Sequence, residues 1–114
     1  MKMKIEKKVT ELIKQIHAEL EKKFKKKLAK IILFGSYARG DYDKESDLDI
    51  LVLIEEENPQ KYRNEIVDLE VDLTIKYGIL PSIILRNTRD FFENKDIIPF
   101  FRNVEKEGVE IYAA

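Results

Sequence analysis

The chain has 114 residues, a length that suits one domain and leaves no room for a second hydrophobic core. Hydrophobic residues make up 44% and charged residues 38%, which argues for a globular, soluble protein and against a disordered or fibrous one. The absence of cysteine and the single histidine exclude a disulfide framework, a thiolate metal site and a histidine cluster.

The first predicted element is a long amphipathic helix. Apolar residues recur every three or four positions, at Ile5, Val9, Leu12, Ile13, Ile16, Leu20, Phe24 and Leu28. Lysines are concentrated in residues 1–30, whereas residues 31–114 are acidic overall. The basic helix is either a solvated face or a contact surface for nucleic acid or an acidic partner. The acidic remainder makes nucleic acid unfavourable as a direct substrate.

Two short apolar runs, residues 31–34 and 49–54, predict buried strands. Both runs are apolar on both faces, so we expect them side by side in the middle of a sheet that helices cover. The predicted fold class is therefore α/β (α+β), with a small mixed β-sheet flanked by helices. We expect residues 1–114 to form a single domain. With no apolar run long enough for a membrane span and no secretory signal, the expected location is cytoplasmic, away from the membrane.

Residues 58–78 fit either a strand or a helix. Apolar and polar residues alternate between 67 and 77, which is typical of a half-buried strand. On a helix, one stripe is formed by Tyr62, Ile66, Leu69, Leu73 and Tyr77. Pro59 suits a first turn and Gly78 suits a helix end. We favour the helix. It carries a second apolar face, Val67, Val71 and Ile75, which meets either the core or a partner protein.

The remaining pattern predicts four elements and a turn. A strand is expected at residues 82–85, a helix that begins at Thr88, a turn near Pro99, another short helix, and a strand at 109–112 after Gly108.

The chemistry is concentrated in the polar loop between the two buried strands. Gly35 ends the first strand and allows close approach of the backbone to a ligand, while Ser36 offers a hydroxyl and an amide that suit a phosphate. Asp47 and Asp49 lie two residues apart at the start of the second strand, so their side chains point the same way. Two such carboxylates opposite a phosphate site suit magnesium, which binds a few carboxylates, waters and substrate phosphates.

This segment, ILFGSYARGDYDKESDLDILV at residues 32–52, closely resembles the signature of the minimal nucleotidyltransferase family in the DNA polymerase β-like superfamily. The closing segment FFRNVEKEGVEIY resembles the small prokaryotic members more weakly. The resemblance implies a nucleotidyltransferase fold and an enzyme that transfers AMP from ATP with Mg²⁺. Such members are often antitoxins that AMPylate a tyrosine on a partner HEPN-domain toxin, so the resemblance also implies that partner.

The resemblance assigns roles to particular residues. Gly35 and Ser36 would bind the triphosphate, and Asp47 and Asp49 would be catalytic and would bind magnesium. Arg39 would lie near the phosphates, although an ion pair with Asp41, Asp43 or Asp47 is an equal alternative. We expect Ser46 to order the loop rather than touch a ligand.

Active members of the superfamily usually add a third carboxylate from a neighbouring strand, in a Val-Asp-Leu context. Val71-Asp72-Leu73 has those residues. If 67–77 is a strand, Asp72 completes the site as a catalytic carboxylate. If it is a helix, the neighbouring strand is 82–85, which has no acid, and activity would be weak or dependent on a partner.

Three functions remain open at this point. The first is AMP transfer to a hydroxyl acceptor, and the second is a non-catalytic antitoxin that acts by binding alone. The third is a small-molecule or antibiotic nucleotidyltransferase, which ranks lower because those proteins usually carry an additional acceptor domain. A domain this small does not easily enclose two substrates, so a homo- or hetero-oligomer is compatible with each.

Overall fold

The long first helix packs as its periodicity predicts up to Phe24, whereas Leu28, which the same periodicity placed on the helix, begins the first strand. The computed structural model describes residues 2–114, and side chains from residue 7 onward. Helix α1 spans Lys2–Phe24 and a 3₁₀ turn, Lys25–Lys27, follows it. Leu12, Ile16 and Leu20 are fully buried on one face, whereas the side chain of Ile5 lies outside the described residues. Among the described helices, none combines the length and apolarity that a membrane crossing needs.

The sheet has four strands in the order β3-β2-β1-β4. These are β1 (Leu28–Phe34), β2 (Leu48–Ile54), β3 (Pro81–Asn87) and β4 (Val109–Ala113). β1 is antiparallel to β2 and to β4, while β2 and β3 are parallel. The two predicted apolar runs are thus the two central strands, which confirms the expected mixed sheet.

Helices cover both faces of the sheet, which explains why β2 is apolar from Ile50 to Ile54. Ile50, Val52 and Ile54 point into a core formed mainly with α1 and α3 (Arg63–Tyr77). Leu51 and Leu53 point the other way, toward α4 (Thr88–Asn94) and α5 (Pro99–Glu107). The predicted helix start at Thr88 and the final strand are confirmed. Residues 95–98 form the turn before Pro99, which is the first residue of α5.

The ambiguous segment is helical, as we favoured. A 3₁₀ turn at Pro59–Tyr62 leads into α3, and Gly78 ends the helix with a φ of 72° while its N–H donates to the Thr74 carbonyl. Ile66 and Leu73 are buried in the core. The second apolar face, Val67, Val71 and Ile75, is exposed. It is therefore not part of the monomer core.

The outer edge of β3 is partly capped by side chains. The Ile83 N–H donates to Glu70 Oε2 on α3 at 2.8 Å, and Arg86 Nη1 donates to the Leu85 carbonyl at 2.9 Å. Polar backbone groups at a sheet edge are otherwise available to pair with another chain. Glu70 and Arg86 satisfy two of them and so oppose such pairing.

Candidate active site

A tight turn links β1 to the short helix α2 (Ser36–Arg39). Gly35 has φ 75° and ψ −155°, a conformation that is essentially restricted to glycine. Its carbonyl accepts hydrogen bonds from the amides of Ala38 and Arg39, at 3.1 and 3.0 Å. Gly40, in the left-handed region with φ 85°, ends the helix. The turn therefore presents Ser36 directly beyond the end of a central strand.

Asp49 packs directly against this turn. It lies on β2 opposite Phe34, the last residue of β1. A Cβ atom at residue 35 would collide with Asp49 Oδ2, so only glycine leaves space for the carboxylate. The structure thereby brings the second aspartate of the motif against its glycine.

The loop before β2 is ordered by its own polar groups. The Asp43 N–H donates to the Ser46 hydroxyl at 2.9 Å, and the Glu45 N–H donates to Asp43 Oδ1 at 2.9 Å. Ser46 thus has the loop-ordering contact expected from the sequence. Asp47 follows it, exposed, immediately before the first residue of β2.

The electrostatics of the two aspartates favour a bound cation. Burial raises the pKa of Asp49, the neighbouring Asp47 raises it further, and Arg39 partly offsets both effects. A carboxylate that is partly desolvated beside another carboxylate gains free energy when a cation neutralises it.

Arg39 connects α2 to α5. Its Nε lies 3.2 Å from Asp41 Oδ2, and its Nη1 lies 3.4 Å from Glu107 Oε2. The hydrogen bond to Asp41 is the main reason that the pKa of Arg39 is raised. Of the two alternatives left open for Arg39, the ion pair with Asp41 is present, and the same residue also lines the cavity described next.

A cavity of about 390 Å³ joins these residues to α5. On one side it is lined by Gly35, Ser36, Arg39 and Asp49, and on the other by Phe100, Asn103 and Glu107. Larger grooves of about 490 and 640 Å³ lie beside β3, and their walls contain none of the motif residues. The smaller cavity is therefore the candidate active site.

The sequence did not reveal the α5 side of this cavity. Phe100, Asn103 and Glu107 follow helical spacing on one face, but that spacing does not show which strand end the face meets. Their position depends on the order of the strands, which places β1 and its turn beside α5.

Residues 13–110 match the family model described as a nucleotidyltransferase domain. The chain belongs to the nucleotidyltransferase domain family. Two relatives from Methanocaldococcus jannaschii, MJ0141 and MJ0604, are provisionally named protein adenylyltransferases. MJ0141 is 38% identical over 103 residues, covering 90% of this chain and 98% of the relative. MJ0604 is 39% identical over 100 residues, covering 88% and 94%.

Solved structures share this nucleotidyltransferase fold. A protein from Sulfolobus solfataricus, provisionally called a nucleotidyltransferase, superposes with a TM-score of 0.55 at 25% identity, covering 96% of this chain and 86% of that one. A toxin–antitoxin structure with AMP-PNP superposes with a TM-score of 0.55 at 23% identity and covers 96% of this chain and 73% of that one. A complex of tri-AMPylated Shewanella oneidensis HEPN toxin with MNT antitoxin superposes with a TM-score of 0.51 at 22% identity and covers 91% of this chain and 72% of that one. Because the last two structures are less than 25% identical to this chain, their similarity supports the fold alone.

Asp72 does not complete the site of this nucleotidyltransferase, which corrects its inclusion among the candidate catalytic residues. It lies on α3 as an exposed side chain, because residues 63–77 form a helix instead of a strand. The residue that pairs with Asp49 on the neighbouring strand is Ser82. The helical alternative therefore holds, and the adjacent strand supplies a hydroxyl where a third carboxylate was expected.

The donor set of the nucleotidyltransferase site fits magnesium bound together with a substrate. No group of three or more acidic or histidine residues suited to a metal occurs within the described part of the chain. Asp49 offers a hard oxygen ligand against the Gly-Ser turn, and the exposed Asp47, two residues before it, lies close enough to raise the pKa of Asp49. Magnesium commonly completes its coordination with waters and substrate phosphates, so two carboxylates are sufficient from the protein.

Proposed function

We propose that this nucleotidyltransferase transfers AMP from ATP to a tyrosine hydroxyl of a HEPN-domain toxin, with magnesium, and acts as the antitoxin of that partner. Gly35 and Ser36 hold the triphosphate, Asp47 and Asp49 hold magnesium, and Arg39 faces the phosphates.

The packing of Asp49 against Gly35 carries this proposal. The same glycine that leaves room for the carboxylate also lets a phosphate approach the backbone at Ser36. A triphosphate in the cavity would therefore lie beside both the carboxylate and the turn. Arg39, on the same side of the cavity at the end of α2, offers a cation that is always charged and suits phosphate oxygens.

The reaction requires one displacement. The acceptor hydroxyl oxygen forms a bond to the α-phosphorus, the bond from that phosphorus to the bridging oxygen breaks, pyrophosphate leaves, and the hydroxyl proton passes to water. Magnesium would neutralise phosphate charge and favour ionisation of the acceptor hydroxyl. The protein's own part is to position the triphosphate at Gly35 and Ser36 and to stabilise its charge with Arg39.

The names of the relatives support protein as the acceptor class. The Methanocaldococcus jannaschii proteins are named for adenylyl transfer to protein, and the Shewanella oneidensis complex contains an AMPylated HEPN toxin. The cavity is open and small, so an acceptor side chain on a second protein can reach it from solvent.

The test is transfer of label from α-labelled ATP, with Mg²⁺, to a HEPN-domain protein from the same genome. We expect labelling with the wild type and a loss of at least a hundredfold with Asp47→Ala/Asp49→Ala. The matched control is Asp68→Ala/Asp96→Ala, which removes two exposed aspartates that do not line the cavity. γ-Labelled ATP should leave the protein unlabelled, because that phosphate departs with pyrophosphate.

Ser82 favours one second candidate, an antitoxin that acts by binding alone. Without a carboxylate beside Asp49 on β3, the donor set is smaller than that of active family members. A tight complex with the HEPN protein that forms equally with the double aspartate variant, and without any labelling, would select this alternative.

A further inference from the structure

Helix α5 presents one continuous face to the candidate active site. Phe100, Asn103 and Glu107 lie three and four residues apart along it and line the cavity. The helix is fixed in place because the adjacent Phe101 and Val104 are buried in the core, and Val104 also contributes to the cavity wall. This wall of the cavity is therefore positioned by the fold.

Gly108 fixes the end of the same helix. A Cβ atom at residue 108 would collide with the Val104 carbonyl and with Ile32 Cγ2 on β1. The close approach holds the last turn of α5 against β1, the strand that leads into the Gly-Ser turn. The two sides of the cavity are thus connected through one strand.

The cavity changes in chemical character along its length. At one end Phe34 and Phe100 pack edge to face, with ring centroids 5.4 Å apart and an interplanar angle of 77°. At the other end Arg39 meets Glu107. Asn103 lies between them on α5, and its side-chain amide makes no hydrogen bond to any residue that the structure describes. The order is aromatic, neutral polar, then charged.

A nucleoside triphosphate has the same order of parts. The base is flat and has hydrogen-bonding edges, and the phosphates are charged. We infer that α5 is the nucleoside-binding wall of the site, with the base against Phe100 and the Asn103 amide hydrogen bonded to the base edge. The inference rests on the proposed function, because it assumes that the phosphates lie at Gly35 and Ser36.

Asn103 is then the residue that selects the base. Its amide offers a donor and an acceptor together, which matches the neighbouring donor and acceptor on an adenine edge. On the base edge that carries N7, adenine presents an N6–H donor beside the N7 acceptor, whereas guanine presents two acceptors, O6 and N7, and so forms only one of the two hydrogen bonds. Asn103 thus gives ATP an advantage over GTP, and Phe100 contributes ring contact to either base.

Calorimetric titration with two probes, Mg²⁺–AMP-PNP and Mg²⁺–tripolyphosphate, tests the assignment. Tripolyphosphate reports on the phosphate end alone. With Asn103→Ala we expect AMP-PNP to bind about five- to tenfold more weakly, as the loss of the two hydrogen bonds predicts, and tripolyphosphate to bind unchanged. The advantage of AMP-PNP over GMP-PNP should shrink by about two- to threefold, because GMP-PNP loses one of these hydrogen bonds as well.

Two further variants make the experiment decisive. Phe100→Leu keeps an apolar side chain packed against the core and removes the ring, so it should weaken AMP-PNP binding and leave tripolyphosphate binding unchanged. Asn64→Ala removes an exposed amide on α3 and should change neither probe. Thermal melting of each variant without ligand establishes that it is folded.

The outcomes separate this inference from the proposed function. If the wild type binds AMP-PNP and neither Asn103→Ala nor Phe100→Leu weakens that binding, only the inference that α5 is the nucleoside-binding wall is overturned. An equal loss for both probes also overturns it, because the α5 residues would then act on the phosphates. A wild type that binds neither probe overturns both proposals.

Discussion

The Asp49 carboxylate occupies the space in which a side chain at Gly35 would begin. Gly35→Ala must therefore displace Asp49 and also place a methyl group on a backbone conformation that only glycine adopts readily. We expect the free energy of unfolding to fall by about 2–4 kcal/mol and Mg²⁺–AMP-PNP binding to be lost. Urea denaturation and calorimetric titration measure the two effects.

Gly40→Ala is the control for that substitution. Gly40 also has a positive φ, of 85°, but an added Cβ would meet no atom within 4 Å. The substitution should lower the free energy of unfolding only by the strain of a left-handed alanine, about 1 kcal/mol, and leave nucleotide binding intact. Equal effects at both glycines would show that the contact with Asp49 has no consequence.

Asp49→Asn should stabilise the metal-free protein at neutral pH. Burial and Asp47 raise the pKa of Asp49, so the folded state binds its proton more tightly than the unfolded state does. The wild type then loses stability as the pH rises from below the ordinary value of 3.8 through the raised pKa. The asparagine variant does not titrate there.

Thermal melts in EDTA between pH 3.5 and 7 measure this difference. We expect the variant to melt roughly 2–4 °C above the wild type at pH 7 and the gap to close toward pH 3.5. Asp96→Asn, at an exposed turn, is the control. A gap that is constant across the range would show that the gain comes from packing and not from ionisation.

Much of the fold was predictable from local sequence. The burial of residues 50–54 in β2 follows from their unbroken apolar run, and the start of α4 follows from Asn87, whose side chain accepts a hydrogen bond from the Asp90 N–H. The ends of strands were less predictable. β1 begins at Leu28, whereas the apolar run predicted a start at residue 31. The pattern missed the earlier residues because Lys30 is polar, although it pairs within the sheet with Leu53 and Ala113.

The candidate site was predictable on one side only. The Gly-Ser and Asp-x-Asp positions lie within one short segment, so their neighbourhood is encoded locally. Asn103 reaches the cavity only through the pairing of β4 with β1, which returns the chain after α5 to the edge of the sheet. For Asp72 the local sequence was misleading. The residues around it match a family motif, but the buried helical stripe through Ile66 and Leu73 places it on a helix.

Glu107→Gln should strengthen nucleotide binding with little change in stability. Glu107 places a negative charge at the cavity beside the Arg39 guanidinium, where phosphate oxygens would compete for that cation. Both side chains are about half exposed, so solvent screens the ion pair and its loss should change stability little. We expect the dissociation constant for Mg²⁺–AMP-PNP to fall roughly threefold, with a smaller gain in affinity at high salt.

The control for this charge is Glu105→Gln on the same helix. Glu105 pairs with Lys95 at 3.0 Å and does not line the cavity. Titration at two salt concentrations should show no change in affinity for this variant. If Glu107→Gln binds AMP-PNP more weakly, Glu107 orients Arg39 for the phosphates and does not compete with them.

Ser82→Asp should supply the carboxylate that β3 lacks. Ser82 pairs with Asp49 across the parallel strands, and paired residues of neighbouring strands lie about 4.8 Å apart with side chains on the same face. A third carboxylate there adds a hard ligand for magnesium. We expect the Mg²⁺ concentration that gives half-maximal AMP transfer to fall about tenfold, and the metal-free protein to be less stable because three carboxylates repel one another.

Ser82→Asn is the matched control, since it has nearly the same shape without the charge. Its Mg²⁺ dependence should equal that of the wild type. Transfer rates across a magnesium titration, together with metal-free melting temperatures, separate the two effects. If Ser82→Asp destabilises the metal-free protein but leaves the magnesium dependence unchanged, the new carboxylate lies near Asp49 without reaching the metal, and two aspartates are the full complement of this site.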